Sequence, residues 1–159
     1  MITIVDYGCG NLAAIANMLG KLGQQTQVAT SPAEVSSATN IILPGVGAFD
    51  EGMQKLRERG MREVLDEKVL GDRVPLLGIC LGAQLICRQS EEGSEPGLNW
   101  IDADVVKFDP AAMQAREKIP NMGWHDIDCD PSERLFQGYS STPRFYFVHS
   151  FHIVCDNPD

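Results

Sequence analysis

The first half of the chain alternates short, β-branched apolar runs with helical patterns, and this alternation constrains the fold more than any other feature. Strands are predicted at Ile2 to Val5, Gln25 to Ala29, Ile41 to Leu43 and Val74 to Ile79. Helices are predicted over Leu12 to Leu22, from Asp50 as a cap, over Arg62 to Leu70 and over Gly82 to Arg88. Strands that alternate with helices predict a mostly parallel sheet covered by helices.

The second half of the chain has a different pattern. After Glu91, a loop rich in Gly, Pro and acidic residues precedes strand candidates at Val105 to Phe108, Trp124 to Cys129, Phe145 to Val148 and Phe151 to Cys155. This part is predicted to add antiparallel β structure. Because 159 residues suit one domain and no linker stands out, we expect a single domain over residues 1–159. The predicted class is a three-layer, flavodoxin-like or Rossmann-like α/β fold.

Charge and composition exclude several classes of function. A formal net charge of −9 disfavours nucleic acid and anionic lipid as partners, because both need clustered Lys and Arg. No apolar run is long enough to span a membrane, and the opening MITIVDYG lacks the features of a secretory signal, so a cytoplasmic location is expected. The five cysteines include no CxxC pair and no zinc spacing, so we expect free thiols, no metal and no organic cofactor.

The most specific motif is Gly78-Ile79-Cys80-Leu81-Gly82, where a predicted strand runs into a helix. A side chain at such a sharp turn points out above the sheet, while glycines on either side relieve crowding. The first turn of the helix supplies backbone N–H groups and a positive dipole end, which favour a thiolate. We therefore predict that Cys80 is a nucleophile and that the Leu81 amide receives an oxyanion. The alternative is a buried free cysteine without chemistry.

A second glycine-containing loop, Pro44-Gly45-Val46-Gly47, follows the third predicted strand. Glycines let a backbone approach a ligand closely and aim N–H groups at developing charge. Gly45, Val46 and Gly47 are therefore candidates for the second oxyanion donor. A simple Gly/Pro turn is the alternative.

Gly8-Cys9-Gly10, after the first strand, has some likeness to a dinucleotide-binding fingerprint. Ala13 replaces the third glycine, however, and the second strand lacks an acidic residue that could bind ribose. Nucleotide binding is therefore not expected.

Longer segments of the chain resemble one known family. IVDYGCGNL (residues 4–12), LPGVGAFDEGM (43–53) and GICLGAQL (78–85) are similar to class I, or triad-type, glutamine amidotransferases. The resemblance is strongest to the glutaminase subunits of imidazole glycerol phosphate synthases. PNMGWH (120–125) and YFVHSFH (146–152) extend it, so that it covers essentially the whole chain in the right order.

The resemblance implies that Cys80 attacks the side-chain amide of glutamine, forms a glutamyl thioester and releases ammonia, after which water frees glutamate. Gln84 matches the family position that helps to hold glutamine, although a solvated helix residue is the alternative. His149 and Ser150 match the segment that lines the glutamine pocket, largely through its backbone. A satisfied core histidine is the alternative for His149.

The resemblance also implies a partner. In this family the ammonia passes to a (β/α)₈ barrel cyclase, which makes imidazole glycerol phosphate in histidine biosynthesis. Tyr7, Asn11, Gly123 and Trp124 match the segments that face this partner, so we expect them at the interface.

The chain departs from the family at two points. The family's triad is completed by a histidine and a glutamate in an HPE motif, whereas none of His125, His149 and His152 precedes Pro-Glu. We therefore expect a domain that lacks roughly its last fifth; the alternative is a shortened, non-catalytic binding or regulatory subunit. In PNMGWH, the polar residues Asn121 and His125 replace the usual PHMGWN pattern, which leaves open a paralogue that feeds a different barrel-type acceptor.

Overall fold

The computed structural model describes residues 1–112, 118–130, 132–139 and 141–157. The chain divides into two compact units, the first formed by residues 1–106 and 153–159 and the second by residues 107–152. The expectation of one domain over the whole chain stays a prediction. In chain order, the elements are β1 (Ile2–Val5), α1 (Leu12–Lys21), β2 (Thr26–Ala29), α2 (Pro32–Ser36), β3 (Ile41–Gly45), α3 (Phe49–Glu58), α4 (Met61–Asp66), a π-helical turn (Glu67–Gly71), β4 (Leu76–Cys80), α5 (Leu81–Leu85), β5 (Gln89–Ser90), β6 (Ala103–Lys107), a 3₁₀ turn (Pro110–Ala112), β7 (Asn121–Asp126), β8 (Arg144–His149) and β9 (Phe151–Cys155).

The centre of the first unit is a four-stranded parallel sheet with the strand order β2-β1-β3-β4. Ile4 of β1 lies opposite Val28 on one side and Ile42 on the other. The two inner strands are almost entirely buried, as expected for a parallel sheet covered by helices. This sheet confirms the predicted α/β class.

Two smaller sheets account for the β structure of the second half. β5, β6 and β9 form a three-stranded sheet in that order, and β7 pairs with β8 in an antiparallel hairpin. The hairpin confirms the predicted antiparallel addition. None of the helices in the described part of the chain is long and apolar enough to cross a membrane.

Strand β3 is longer than predicted. Pro44 and Gly45, expected to begin a loop, continue the strand and lie opposite Ile79 and Cys80 of β4. Proline has no N–H to donate to a sheet. Its place is acceptable here because β1 pairs with β3 at Ile41 and Ile42, so Pro44 lies past the described pairing with β1.

Helix α3 begins at Phe49, two residues earlier than a cap at Asp50 would give, and is capped differently. Asp50 was expected as the cap, but its carboxylate accepts from the amides of Ser94 and Glu95 at 3.0 and 2.9 Å. These bonds hold the pKa of Asp50 below its usual value. The Glu92 carboxylate accepts from the Phe49 amide at 2.9 Å instead. The start of α3 and the loop after β5 are thus tied together by two carboxylates.

The buried face of α3 holds the first unit together. Phe49, Met53 and Leu56 are buried at helical spacing. Gly52 lies between them, and a β-carbon there would come within 3.2 Å of the Leu85 side chain on α5. Glycine at this position therefore allows α3 and α5 to approach closely.

Replacing Leu56 with alanine should lower the free energy of unfolding by about 2–5 kcal/mol, because it removes a fully buried side chain and leaves a cavity. Urea denaturation followed by circular dichroism measures this. Leu22→Ala is the matched control, since Leu22 is exposed and its truncation should change stability by less than about 0.5 kcal/mol. Equal effects of both variants would contradict the assignment of Leu56 to the core.

Candidate active site

Cys80 occupies the junction of β4 and α5 in a conformation that L-residues rarely adopt. Its φ is 54° and its ψ is −116°. For a residue other than glycine, such a conformation costs on the order of 1–3 kcal/mol and occurs mainly at functional sites. The side chain is exposed, although the residues before and after this turn belong to regular elements. This geometry is the elbow that the sequence predicted.

Two glycines make the elbow possible. A β-carbon at Gly82 would lie 1.8 Å from the Leu43 carbonyl oxygen of β3, and one at Gly78 would lie 2.6 Å from the Ala83 Cα. Real β-carbons do not approach other atoms so closely, so any side chain at either position would push α5 off the sheet. The glycines therefore fix the angle between β4 and α5.

The glycine loop after β3 lies beside the elbow. Gly45 is in register with Cys80, and adjacent strands of a sheet are about 4.8 Å apart. Val46 and Gly47 follow and are exposed, and Gly47 has a φ of +111°, which favours glycine. The structure thus places Gly45 next to Cys80 and Leu81, with Val46 and Gly47 in the loop that follows it. The role of the three residues in binding an oxyanion stays a prediction.

Gln84 and Asn11 also belong to the first unit. Gln84 is half-buried on α5, and its side-chain amide makes no hydrogen bond with the residues that the structure describes. It is therefore free to bind a ligand. Asn11 is exposed and caps α1, because its side-chain oxygen accepts from the Ala14 amide at 3.1 Å.

Tyr7 lies in a place that the sequence did not indicate. It was expected at a partner interface, but its side chain is 0% exposed. Its hydroxyl oxygen would lie 2.5 Å from a β-carbon built on Gly45, beside the elbow. No sequence signal distinguishes this inward orientation from an outward one. The partner-facing role of Tyr7 stays a prediction.

His149 and Ser150 lie in the second unit. His149 has both ring nitrogens engaged: Nδ1 lies 2.7 Å from the Phe151 carbonyl oxygen and Nε2 lies 3.1 Å from the Asn121 amide nitrogen. A carbonyl only accepts, so Nδ1 carries the proton and Nε2 accepts from Asn121. The Ser150 carbonyl accepts from the Phe108 amide at 3.1 Å. His149 is thus a hydrogen-bonded residue of the hairpin.

The predicted partner-facing residues Gly123 and Trp124 lie on β7. Gly123 pairs with Phe147 and has a φ of +142°, which favours glycine. Trp124 is 62% exposed and contacts the neighbouring Tyr146 ring edge-on, with centroids 5.6 Å apart.

The other cysteines differ from Cys80. Cys9 and Cys87 are buried, and burial is the main cause that raises the pKa of the Cys87 thiol to about 11. Cys155 is exposed but lies at the end of a strand, where no helix N-terminus favours a thiolate. Among the described residues, no group of His, Cys, Asp and Glu side chains is arranged to hold a metal ion.

Known proteins resemble this chain in fold and in sequence. A solved structure described as "Crystal structure of glutamine amidotransferase" superimposes with a TM-score of 0.62 at 19% identity, over 79% of this chain and 64% of that one. This likeness establishes the fold. The family model "Glutamine amidotransferase class-I" matches residues 3–158.

Curated relatives are more similar in sequence. "Imidazole glycerol phosphate synthase subunit HisH 2" of Pseudomonas aeruginosa is 44% identical over 159 residues, which are 100% of this chain and 77% of that protein. "Imidazole glycerol phosphate synthase subunit HisH" of Bdellovibrio bacteriovorus is 47% identical over 100% of this chain and 78% of its own length. The chain therefore belongs to the class I glutamine amidotransferase family and, within it, to the group of HisH subunits.

Gly82→Ala should destabilise the first unit by about 3 kcal/mol or more, because the new methyl group would overlap the Leu43 carbonyl. Gly20→Ala is the matched control, since nothing lies within 4 Å of that helical position. It should stabilise the protein by about 0.5–1 kcal/mol. Urea denaturation decides between the two outcomes, and a harmless Gly82→Ala would show that α5 does not lie against β3.

Proposed function

We propose that this chain hydrolyses glutamine to glutamate and ammonia, with Cys80 as the nucleophile. The observation that carries the proposal is the strained, exposed Cys80 in register with the Gly45 loop. A strained backbone conformation such as that of Cys80 is explained by a chemical role of the residue and not by packing. Membership of the glutamine amidotransferase family supplies the substrate class.

In the proposed reaction, the Cys80 sulfur attacks the side-chain amide carbon of glutamine and a tetrahedral oxyanion forms. The Leu81 amide, at the first position of α5, has no intrahelical acceptor and is free to bind this oxyanion. The loop Gly45, Val46 and Gly47 supplies the second donor. Collapse of the oxyanion breaks the C–N bond, and the nitrogen takes up the proton that the Cys80 thiol gave up and departs as ammonia. Water then adds to the thioester carbon, the C–S bond breaks, and glutamate leaves while the sulfur regains a proton from the water.

The substrate is held by residues beside the nucleophile. Gln84 projects from the turn of α5 that follows Cys80, and its side-chain amide can both donate to and accept from glutamine. For His149 and Ser150, which match the family segment that lines the glutamine pocket, a backbone contact with glutamine stays a prediction. The hydrogen bonds of His149 make it unsuited to move protons, because its ring nitrogens are already paired with Asn121 and Phe151.

The proposed partner is a (β/α)₈ synthase that consumes the ammonia to make imidazole glycerol phosphate. The relatives are named as subunits of imidazole glycerol phosphate synthase, which supports an assembly with a second subunit in histidine biosynthesis. The hairpin presents an apolar outer face, on which Trp124 and Tyr146 pair beside Met122 and Val148. All four side chains are more than half exposed. Exposed aromatic clusters of this kind are typical of interface centres.

Asn11 is exposed at the start of α1 and is proposed as a second partner contact, together with Gly123 on the hairpin. The cytoplasm is the location expected for such a biosynthetic enzyme.

Two alternatives remain to this proposal. The chain could supply ammonia to a different barrel-type acceptor, or it could be a non-catalytic regulatory subunit. The following experiments distinguish both from the proposed function.

A diazo-ketone analogue of glutamine should label Cys80 selectively, because this thiol alone combines exposure with a helix N-terminus. Cys80→Ser should abolish the labelling and, with it, any glutamate release above the uncatalysed rate. Cys155→Ser is the matched control, since Cys155 is also exposed. It should change neither the labelling of Cys80 nor the release of glutamate. Labelling that persists in Cys80→Ser would overturn the assignment of the nucleophile.

Trp124→Ala should weaken binding to the cognate barrel by about tenfold or more, as expected for a central interface aromatic. Tyr139→Ala is the control, because Tyr139 is a similarly exposed aromatic of the second unit. Isothermal titration calorimetry with several candidate barrels gives both the affinity and the identity of the acceptor. Tight binding only to a different barrel would identify a paralogue, and a binder that lacks glutaminase activity would indicate a regulatory subunit.

A further inference from the structure

The helix that follows the proposed nucleophile is very short. α5 has five residues, Leu81–Leu85, and it begins directly after the strained backbone of Cys80. A helix of this length is unstable by itself, because its first turn fixes several residues for few hydrogen bonds. A strained conformation, in turn, persists only where the surrounding structure holds it in place. Contacts at both ends of α5 are therefore needed to keep Cys80 in its conformation.

The start of α5 is held by the close approach of Gly82 to β3. Its end is held by residues 97–101, which we call the cap segment. Four consecutive carbonyls at the end of α5 and just after it accept hydrogen bonds from amides of this segment. The pairs, donor first, are Leu98 to Leu85 (2.8 Å), Trp100 to Ile86 (2.9 Å), Asn99 to Cys87 (3.0 Å) and Gly97 to Arg88 (2.7 Å). The last carbonyls of a helix lack partners within it, and here the cap segment supplies them.

The cap segment lies directly against the chain that leaves α5. A β-carbon at Gly97 would come within 2.0 Å of the Cys87 carbonyl oxygen. Leu98 is buried, and Asn99 has a φ of 57°, which asparagine tolerates better than most residues do. Because the two backbones are in direct contact, a shift of the cap segment would be transmitted to the end of α5.

One side-chain hydrogen bond joins the cap segment to helix α4. The indole nitrogen Nε1 of the half-buried Trp100 donates to Oδ1 of Asp66 at 2.7 Å. Asp66 is the last residue of α4, and its other carboxylate oxygen lies 3.8 Å from the Arg62 guanidinium. Hydrogen bonds to an ionised acceptor are stronger than those between neutral groups. Through this bond, α4 holds the cap segment, and the cap segment holds α5.

We infer that Trp100, held by Asp66, is a positioning residue for the nucleophile. It keeps the end of α5 in place, and α5 keeps Cys80 in its strained and exposed conformation. The inference rests on the proposed function, and Trp100 acts through α5, so that no bond forms or breaks at its ring. Without the bond to Asp66, the cap segment loosens, α5 gains freedom and the backbone of Cys80 relaxes. A merely structural Trp100 would stabilise the first unit without this effect on Cys80.

A double-mutant cycle separates these two roles. Cys80→Gly relieves the strain of the turn, because glycine adopts a positive φ without steric hindrance. The shift that it causes in the urea midpoint is measured in the parent and in Trp100→Phe. This shift should be more favourable in the parent, where the strain is still present. The entropy that glycine adds to the unfolded chain is the same in both backgrounds and cancels. Additive midpoint shifts would overturn the inference.

The chemistry of Cys80 provides a second readout. Trp100→Phe should slow both the diazo-ketone labelling of Cys80 and glutamate release by about tenfold or more, because a misplacement of about 1 Å can reduce a rate by about 10²-fold. Asp66→Leu removes the acceptor and should behave like Trp100→Phe. Asp66→Asn keeps an oxygen that accepts from the indole and should retain most of the rate. Equal losses in Asp66→Asn and Asp66→Leu would show that the hydrogen bond is not the cause.

Glu34→Gln is the matched control. Glu34 lies on α2, which also has five residues, and its carboxylate accepts from the Thr30 and Ser31 amides at 2.7 and 3.1 Å. The variant weakens these bonds and should lower the urea midpoint. It should change neither the labelling of Cys80 nor the effect of Cys80→Gly. Labelling as slow as in Trp100→Phe would assign the effect to general destabilisation and overturn the inference.

The two readouts also separate this inference from the proposed function. The cycle of urea midpoints needs no glutamine, so coupled midpoints in a chain that releases no glutamate would overturn the proposed function alone. Glutamate release together with additive midpoints would overturn the inference alone. If Trp100→Phe fails to fold, Asp66→Leu takes its place in the cycle, and the same two outcomes decide.

Discussion

The direct contact between the backbone of α5 and the backbone of β3 supports the rest of the first unit. At Gly82, the helix lies so close to the Leu43 carbonyl that no side chain fits between them. This contact makes the chain reverse sharply after β4, and the sharp reversal places Cys80 in its strained conformation. It also brings Leu81 next to Gly45, so that the turn of the helix and the loop after β3 share one edge of the sheet. A larger separation would remove the elbow and the proposed oxyanion site together.

Much of this arrangement was predictable because its signals are local. The apolar runs of β1 and β4 and the glycines around Cys80 are contiguous in sequence, and each determines its own element. Helix α2 was missed although it carries a local signature. The Glu34 carboxylate accepts from the Ser31 amide at 3.1 Å, next to a proline at the first helical position. Helices of five residues have too little periodicity to be recognised without such a capping pattern.

Other features could not be predicted, because they depend on partners that are distant in the chain. Asp50 has the sequence context of a helix cap, yet it accepts from amides that lie 44 and 45 residues later. Tyr7 has no pattern that indicates burial, and its orientation depends on the space left at Gly45. The hydrogen bonds of His149 likewise depend on how β7 pairs with β8. Tertiary contacts decide such cases, and single-sequence patterns do not contain them.

The backbone at Cys80 also has an evolutionary consequence. Glycine adopts a positive φ without the steric cost that a β-carbon imposes, so Cys80→Gly would relieve the strain of the turn. Selection for a more stable fold therefore acts against the proposed nucleophile, and selection for its chemistry would keep a thiol there. A lineage released from the need for ammonia should lose this side chain early, while the surrounding sheet and helices persist. The identity of the residue at position 80 would thus indicate whether a descendant of this protein is still under selection for the proposed chemistry.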